Sequence, residues 1–110
     1  MRRFDVEIYL RSIEMFKITD LVTVPPIAIA ILMSPNVKKY SLASIREGKC
    51  GAAPMTSETQ ARIQALLPDD VPFTQAFGMT ETSCVATMFY YPEHDATGSI
   101  GRAIPNLDMK

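Results

Sequence analysis

The sequence predicts an α/β fold with a mainly parallel sheet and flanking helices. Short β-branched or apolar runs alternate with amphipathic segments in the order helix, strand, helix, strand, helix, strand. That is the pattern of parallel strands joined by helical crossovers. A polar, proline or glycine-bearing turn follows each candidate strand: Pro25-Pro26, the run 51–54 and the run 78–81. Parallel sheets place their ligand crevice beyond the C-terminal strand ends, so those three turns are expected to converge.

The elements follow in order. Val6, Tyr9, Leu10, Ile13 and Phe16 recur at helical spacing and predict a helix over 6–18. Asp5 is placed to cap its first turn, and Phe4 and Tyr9 to form a hydrophobic staple. Glu7 and Arg11 are spaced to pair one turn apart. Leu21, Val22, Thr23 and Val24 form a short buried strand, ended by the proline that pushes Val24 to extended geometry. Pro25-Pro26 opens a second helix over 27–33, stopped by Ser34-Pro35-Asn36. Residues 46–50 read as the second strand. Ser57 and Gln60 have capping-box spacing and start a third helix that runs to about residue 67, where Pro68-Asp69-Asp70 breaks it. Residues 73–77 form the third strand, with Gly78 marking the turn beyond it. Residues 84–91 are apolar and read as helix or strand; 97–101 read as a loop, and 107–110 as the beginning of a strand.

Composition narrows the function. The chain has 110 residues, the size of one small domain, with the 47% hydrophobic and 21% charged content of a protein that folds around a core. Its net charge is −1 and its basic residues cluster only at Arg2-Arg3 and Lys38-Lys39, which argues against nucleic acid or anionic lipid as a partner. The longest apolar run, 27–33, is far short of the ~20 residues of a membrane helix. Charged residues follow Arg2-Arg3 at once, so no signal-peptide core is present. Asp108-Met109-Lys110 is neither a peroxisomal nor a retention address. Cys50 and Cys84 make no Cys-x-x-Cys pair, and with His94 alone they cannot assemble a zinc site. Two reduced thiols in a cytoplasmic protein are the expectation.

The chemistry concentrates in Gln75-Ala76-Phe77-Gly78-Met79-Thr80-Glu81. An aromatic face stacks on a base, Gly78 lets a ligand approach the backbone, and Thr80 can hydrogen-bond a phosphate oxygen. Glu81 can hold magnesium, a hard cation that takes oxygen ligands. The same residues also make an ordinary βα turn with Glu81 in the first turn of a helix.

This run resembles the Gly-Tyr-Gly-x-Thr-Glu signature of the adenylate-forming (AMP-dependent synthetase/ligase) superfamily. That superfamily includes acyl-CoA synthetases, luciferases and peptide-synthetase adenylation domains. Gly51-Ala52-Ala53-Pro54 is similar to its Gly-Ala-Ala-Pro loop. Residues 97–106 are similar to its Thr-Gly-Ser-x-Gly…Pro-Asn stretch, and Phe4-Asp5-Val6-Glu7 and Val24-Pro25-Pro26 also fit. The resemblance spans almost the whole chain and is nearest the 4-coumarate–CoA ligase-like branch.

It implies that residues 1–110 are a single partial AMP-binding domain, a slice of the large N-terminal domain of such an enzyme. Phe77 would stack on adenine, without the hydroxyl of the usual tyrosine. Thr80 would contact the nucleotide phosphate, and Glu81 would help hold magnesium; these two are the candidate catalytic residues. Gly51, Ala52, Ala53 and Pro54 would line the adenine and acyl pockets, and Gln75, Gly78 and Met79 would shape the acyl pocket. Ala76 stands where many relatives have glycine, and its methyl would narrow that pocket. ATP or AMP, Mg2+ and CoA are the implied cofactors, and a small carboxylic acid is the implied substrate.

The lysine-bearing phosphate loop, the ribose-gripping aspartate and the mobile C-terminal domain with its lysine are absent from this sequence, and no Gly-x-x-x-x-Gly-Lys run replaces the first. The chain alone is therefore expected to be inactive, and its exposed edges to favour self-association. Localisation is expected to be cytoplasmic, with the peroxisome open for a full-length parent. A non-catalytic interaction remnant and a weak nucleotide-binding module remain as alternative functions. His94 reads as a solvated loop residue, Asp69-Asp70 as a solvated loop, the seven methionines as core filler, and 98–101 as a turn or an anion nest.

Overall fold

A computed structural model describes residues 3–109, which form two three-stranded sheets, one of them covered by helices. Helix α1 (Val6–Phe16) starts where its cap dictates. The Asp5 carboxylate accepts from Glu7 N at 2.9 Å and Ile8 N at 3.1 Å, and the Phe4 and Tyr9 rings meet at 5.6 Å. Lys17, in the left-handed region at φ 51°, closes the helix short of residue 18. The expected Glu7–Arg11 pair does not form. Glu7 instead accepts from Asn36 Nδ2 at 2.9 Å and the Tyr40 hydroxyl at 2.8 Å. Partners held in place by the fold cost less side-chain entropy than a long arginine on the wet face.

Strands β1 (Asp20–Thr23), β2 (Glu47–Cys50) and β3 (Phe73–Gln75) lie side by side, parallel, in that order. Helices α2 (Pro25–Met33) and α3 (Ser57–Gln64) make the two crossovers. The parallel α/β arrangement predicted from alternation is thus present, with β1 shifted by one residue and β2 starting one residue later. Thr56, not Ser57, caps α3, accepting from Thr59 N at 3.2 Å. The helix ends at Gln64 in a tighter turn, Leu66 N donating to Ile63 O and Leu67 N to Gln64 O, and the Gln64 side chain accepts from Phe73 N of β3 at 2.9 Å.

Leu10 and Ile13 of α1, Ala28 and Ile31 of α2, and Ile63 of α3 pack with Leu21, Cys50 and Phe73 in one core. Gly48 in β2 is what admits the Phe73 ring, since a Cβ there would lie 2.4 Å from Phe73 Cδ2. Helix α2 is apolar on every side: Ala28 and Ile31 are buried, while Ile29 and Met33 are exposed. A helix apolar all round ordinarily lies inside a larger core.

The third strand is shorter than expected. It ends at Gln75; Ala76 makes the last hydrogen bond to β2, and β4 (Phe77–Met79) begins a second sheet. There β4, β5 (Cys84–Met88) and β6 (Arg102–Ala103) run antiparallel, which settles the ambiguous apolar run as strand over Cys84–Met88. Gly78 therefore lies inside a strand, not a turn. A Cβ on it would stand 1.8 Å from the Cys84 carbonyl oxygen, so glycine permits the backbones of β4 and β5 to approach. The turn is the 3-10 segment Thr80–Thr82, pinned by Thr82 Oγ1, which accepts from Met79 N at 3.3 Å and donates to Met79 O at 3.0 Å. Residues 107–109 form no strand, and Lys110 lies outside the described residues. Among the described residues, no helix is long and apolar enough to cross a membrane.

Candidate functional site

The C-terminal ends of β1, β2 and β3 open into a cavity of about 780 Å3. This is within the usual range for small-ligand sites. Thr23 and Val24 at the end of β1, Gly51 and Ala52 after β2, and residues 76–80 after β3 all line it. The convergence expected of a parallel sheet is met, with Val24 in place of the Pro25-Pro26 turn. The second sheet closes the far side through Ser83, Cys84 and Val85.

Of the residues proposed from sequence, Gly51, Ala52, Ala76, Phe77, Gly78, Met79 and Thr80 line this one cavity. The Phe77 ring is 36% exposed, so a face is available for stacking. Ala53 and Pro54 are exposed but do not line the cavity. Gln75 is 3% exposed and points elsewhere: its side chain grips both backbone groups of Met55, accepting from the N–H at 3.1 Å and donating to the carbonyl at 2.9 Å. Glu81 is exposed on the 3-10 turn beside Thr80, outside the cavity lining, with no hydrogen-bond or ion-pair partner among the described residues.

Two backbone features shape the rim. Ala52 has φ 70°, and Ser83 and Cys84 have φ 57° and 99°, all in the region that favours glycine. Such conformations cost of order 1 kcal/mol each and persist where surrounding contacts impose them. For Ala52 those contacts are visible. Gly51 N donates to Thr23 O at 3.2 Å and Ala76 N to Cys50 O at 2.9 Å, extending the sheet ladder to the rim, while Gln75 fixes Met55.

Among the described residues Lys49 is the only charged side chain lining the cavity, and it is paired with Glu47. Sequence reasoning passed over it, together with Val22, Ser83, Cys84 and Val85. The alternation in β2 carried the signal for Lys49, because Gly48 and Cys50 face the core and leave Lys49 on the opposite face. Cys50 is no nucleophile, since burial pushes its thiol up to about 11.

The 97–101 loop is organised from within. The Asp95 carboxylate accepts from Gly98 N at 2.9 Å, Ser99 N at 3.1 Å and Thr97 Oγ1 at 2.7 Å. Burial raises the Asp95 pKa, but these hydrogen bonds outweigh it and hold the carboxyl below its ordinary value. The anion-nest and turn readings thus meet in one structure, a turn whose N–H groups are filled by the chain's own aspartate.

The cavity suits a nucleotide in volume and in its aromatic wall. For magnesium the fit is partial. Among the described residues no cluster of three or more His, Cys, Asp or Glu could hold a metal, and the exposed Glu81 carboxylate lies outside the cavity lining. Magnesium at phosphate sites commonly takes one or two carboxylates and completes its shell with phosphate and water.

Comparison with known proteins agrees with this geometry. The family model described as AMP-binding enzyme matches residues 1–110. A phenylacetyl-CoA ligase of Aspergillus niger is 48% identical over the whole chain, which covers 21% of that protein. The 4-coumarate–CoA ligase-like 9 protein of Arabidopsis thaliana is 35% identical over 98% of the chain and 19% of its own length. The ATP-bound structure of MatB from Rhodopseudomonas palustris superimposes on 96% of the chain with a TM-score of 0.78 and 28% identity, the chain covering 20% of it. The chain thus spans about a fifth of the length of these relatives. With the family model covering every residue, the chain belongs to the AMP-binding, adenylate-forming acyl-CoA ligase family.

Proposed function

We propose that this chain supplies one side of the nucleotide and acyl site of an ATP-dependent carboxylic acid–CoA ligase, and that it does not complete the reaction alone. The observation that carries this is the convergence of Gly51 and Ala52 with residues 76–80 on one cavity beyond the parallel strand ends. In the proposed reaction a carboxylate oxygen attacks the α-phosphorus of ATP and pyrophosphate leaves with the bonding pair. The CoA thiolate sulfur then attacks the acyl carbon and AMP leaves. Phe77 stacks on adenine, Thr80 donates to a phosphate oxygen, and Gly51 and Ala52 border adenine and acyl group, with Ala53 and Pro54 outside the cavity lining. Glu81, on the turn beside Thr80, would hold magnesium, which would neutralise phosphate charge. The protein's work is alignment and charge stabilisation.

The acid is proposed to be aryl-substituted. The apolar walls formed by Val22, Val24, Phe77, Met79 and Val85 support this, as do the phenylacetyl and 4-coumarate names of the two relatives. Inactivity of the chain alone is supported by charge. Among the described residues the one cation lining the cavity, Lys49, is already paired with Glu47, which leaves no free cation there for a triphosphate. The phosphate-loop lysine and C-terminal domain of the family are likewise not among these residues. We place the reaction in the cytoplasm, which suits two free cysteines.

Purified chain incubated with ATP, phenylacetate or 4-coumarate, and CoA should yield no CoA thioester. Clear thioester formation overturns the claim of inactivity. Saturable AMP binding supports the nucleotide site, and AMP contacts that map away from Phe77 and Thr80 overturn it.

A second reading, an interaction module without chemistry, is favoured by the exposed apolar surface. Val22 and Met33 are both 74% exposed, and α2 is apolar on its outer side. That surface also supports self-association. A native mass spectrum across a concentration series distinguishes a monomer from growing oligomers.

A further inference from the structure

Behind the rim that carries Gly51 and Ala52 lies a buried polar chain of contacts. Gln60 on α3 is 1% exposed and Gln75 at the end of β3 is 3% exposed. Gln75 Nε2 donates its two hydrogens to Met55 O and Gln60 Oε1, both at 2.9 Å, and shares one of them with Gly98 O at 3.3 Å. Gln60 Nε2 donates to Phe73 O at 3.1 Å and Asp95 O at 2.8 Å. The Asp95 carboxylate in turn holds Gly98 and Ser99. The two hydrogens of Gln60 Nε2 are both committed to backbone oxygens, so this amide has one orientation that satisfies it. Neither Gln60 nor Asp95 lines the cavity.

We propose that Gln60 and Asp95 are positioning residues that, through Gln75, hold Met55 and so fix the rim at Gly51 and Ala52. Ala52, a non-glycine residue at φ 70°, keeps that conformation only where both flanks are held. The upstream flank is held by the sheet ladder at Gly51, and the downstream flank by the Gln75 amide on both backbone groups of Met55. A primary amide is free to flip unless its neighbours fix it. Here Gln60 and Gly98 O do so, and Asp95 holds Gly98. Replacing either residue releases a contact remote from the cavity and lets the rim relax. The proposal deepens the nucleotide-site reading and rests on it for its functional meaning, while the coupling itself is measurable without any ligand.

The test uses 15N-labelled full chain. In the unmodified protein the Met55 amide hydrogen should exchange as slowly as that of Ala76. Fast exchange at Met55 alone overturns the clamp. In Asp95→Asn and Gln60→Met, amide cross-peaks of Gly51, Ala52 and Met55 should shift together with those of Gly98 and Ser99, while those of α1 stay fixed. Shifts confined to the substituted residue's own neighbours overturn the proposal. If Gln60→Met does not fold, Asp95→Asn and the exchange measurement still decide. AMP titration separates the two layers: the variants should lose about fivefold in affinity. If the unmodified chain binds no AMP while the cross-peaks move together, the nucleotide reading fails and the coupling stands. Unchanged AMP affinity in both folded variants refutes the positioning role.

Discussion

Replacing Gly78 by alanine separates two explanations of this glycine. From sequence it serves ligand approach; in the structure it serves strand approach. The alanine Cβ would lie 1.8 Å from the Cys84 carbonyl oxygen and 2.8 Å from the Cys84 carbonyl carbon. Ordinary contact begins at 3.4 Å, so the shortfall to the oxygen is 1.6 Å. Both atoms are backbone, so no rotamer change relieves the clash. The strands must part, and a displacement of that size breaks the β4–β5 pairing at Gly78–Val85 and Met79–Cys84. Overpacking costs about 1–3 kcal/mol, and a backbone clash belongs at the upper end. At about 4–8 °C per kcal/mol for a domain of this size, about 3 kcal/mol lowers Tm by roughly 12–24 °C. Thermal unfolding followed by circular dichroism reads the shift, and hydrogen exchange at Val85 and Thr87 locates it. A variant that melts within about 3 °C of its parent, with those amides still protected, refutes the strand-approach argument.

Three further substitutions probe the contacts around the site and the helix that leads to it. Ala52→Gly relieves a left-handed alanine but adds unfolded-chain entropy of about 0.4–1 kcal/mol, so the two offset and Tm should stay within about 4 °C, measured by calorimetry. Thr82→Val removes the hydroxyl that pins the 3-10 turn and should cost about 1 kcal/mol in urea unfolding. Glu7→Gln tests the tie between α1 and the segment after α2. Hydrogen bonds from Asn36 and Tyr40 hold the Glu7 carboxyl below its ordinary 4.5, so its contribution is present above that pH and is lost as pH falls through the folded value. Urea midpoints measured from pH 6 downward should fall less steeply in Glu7→Gln than in the parent.

What was legible in the sequence depended on how far away each residue's partner lies. Asp5 caps α1 through residues two and three positions on, and the apolar repeat of the helix is local, so both were readable. The parallel sheet was readable because each β-branched run is followed by its own turn signal. The break after Gln75 was not: β3 and β4 are three residues each, separated only by Ala76, and nothing local distinguishes one strand of five residues from two in different sheets. Gly78 shows the same limit, because its reason for being glycine is Cys84 across a strand pair that the alternation did not predict. At the cavity, Phe77 and Thr80 were found through a short contiguous motif, whereas Lys49 reaches the site only because β2 turns that face toward it. Gln60 is the extreme case. From sequence it reads as the capping-box partner of Ser57, yet its Nε2 is buried against carbonyls 13 and 35 residues away. Contacts that close over such separations are made only once both sheets are assembled. The part of the site that sequence reading misses is therefore the part that depends on the second sheet and its loops being docked, and it should be the first to loosen when they are not.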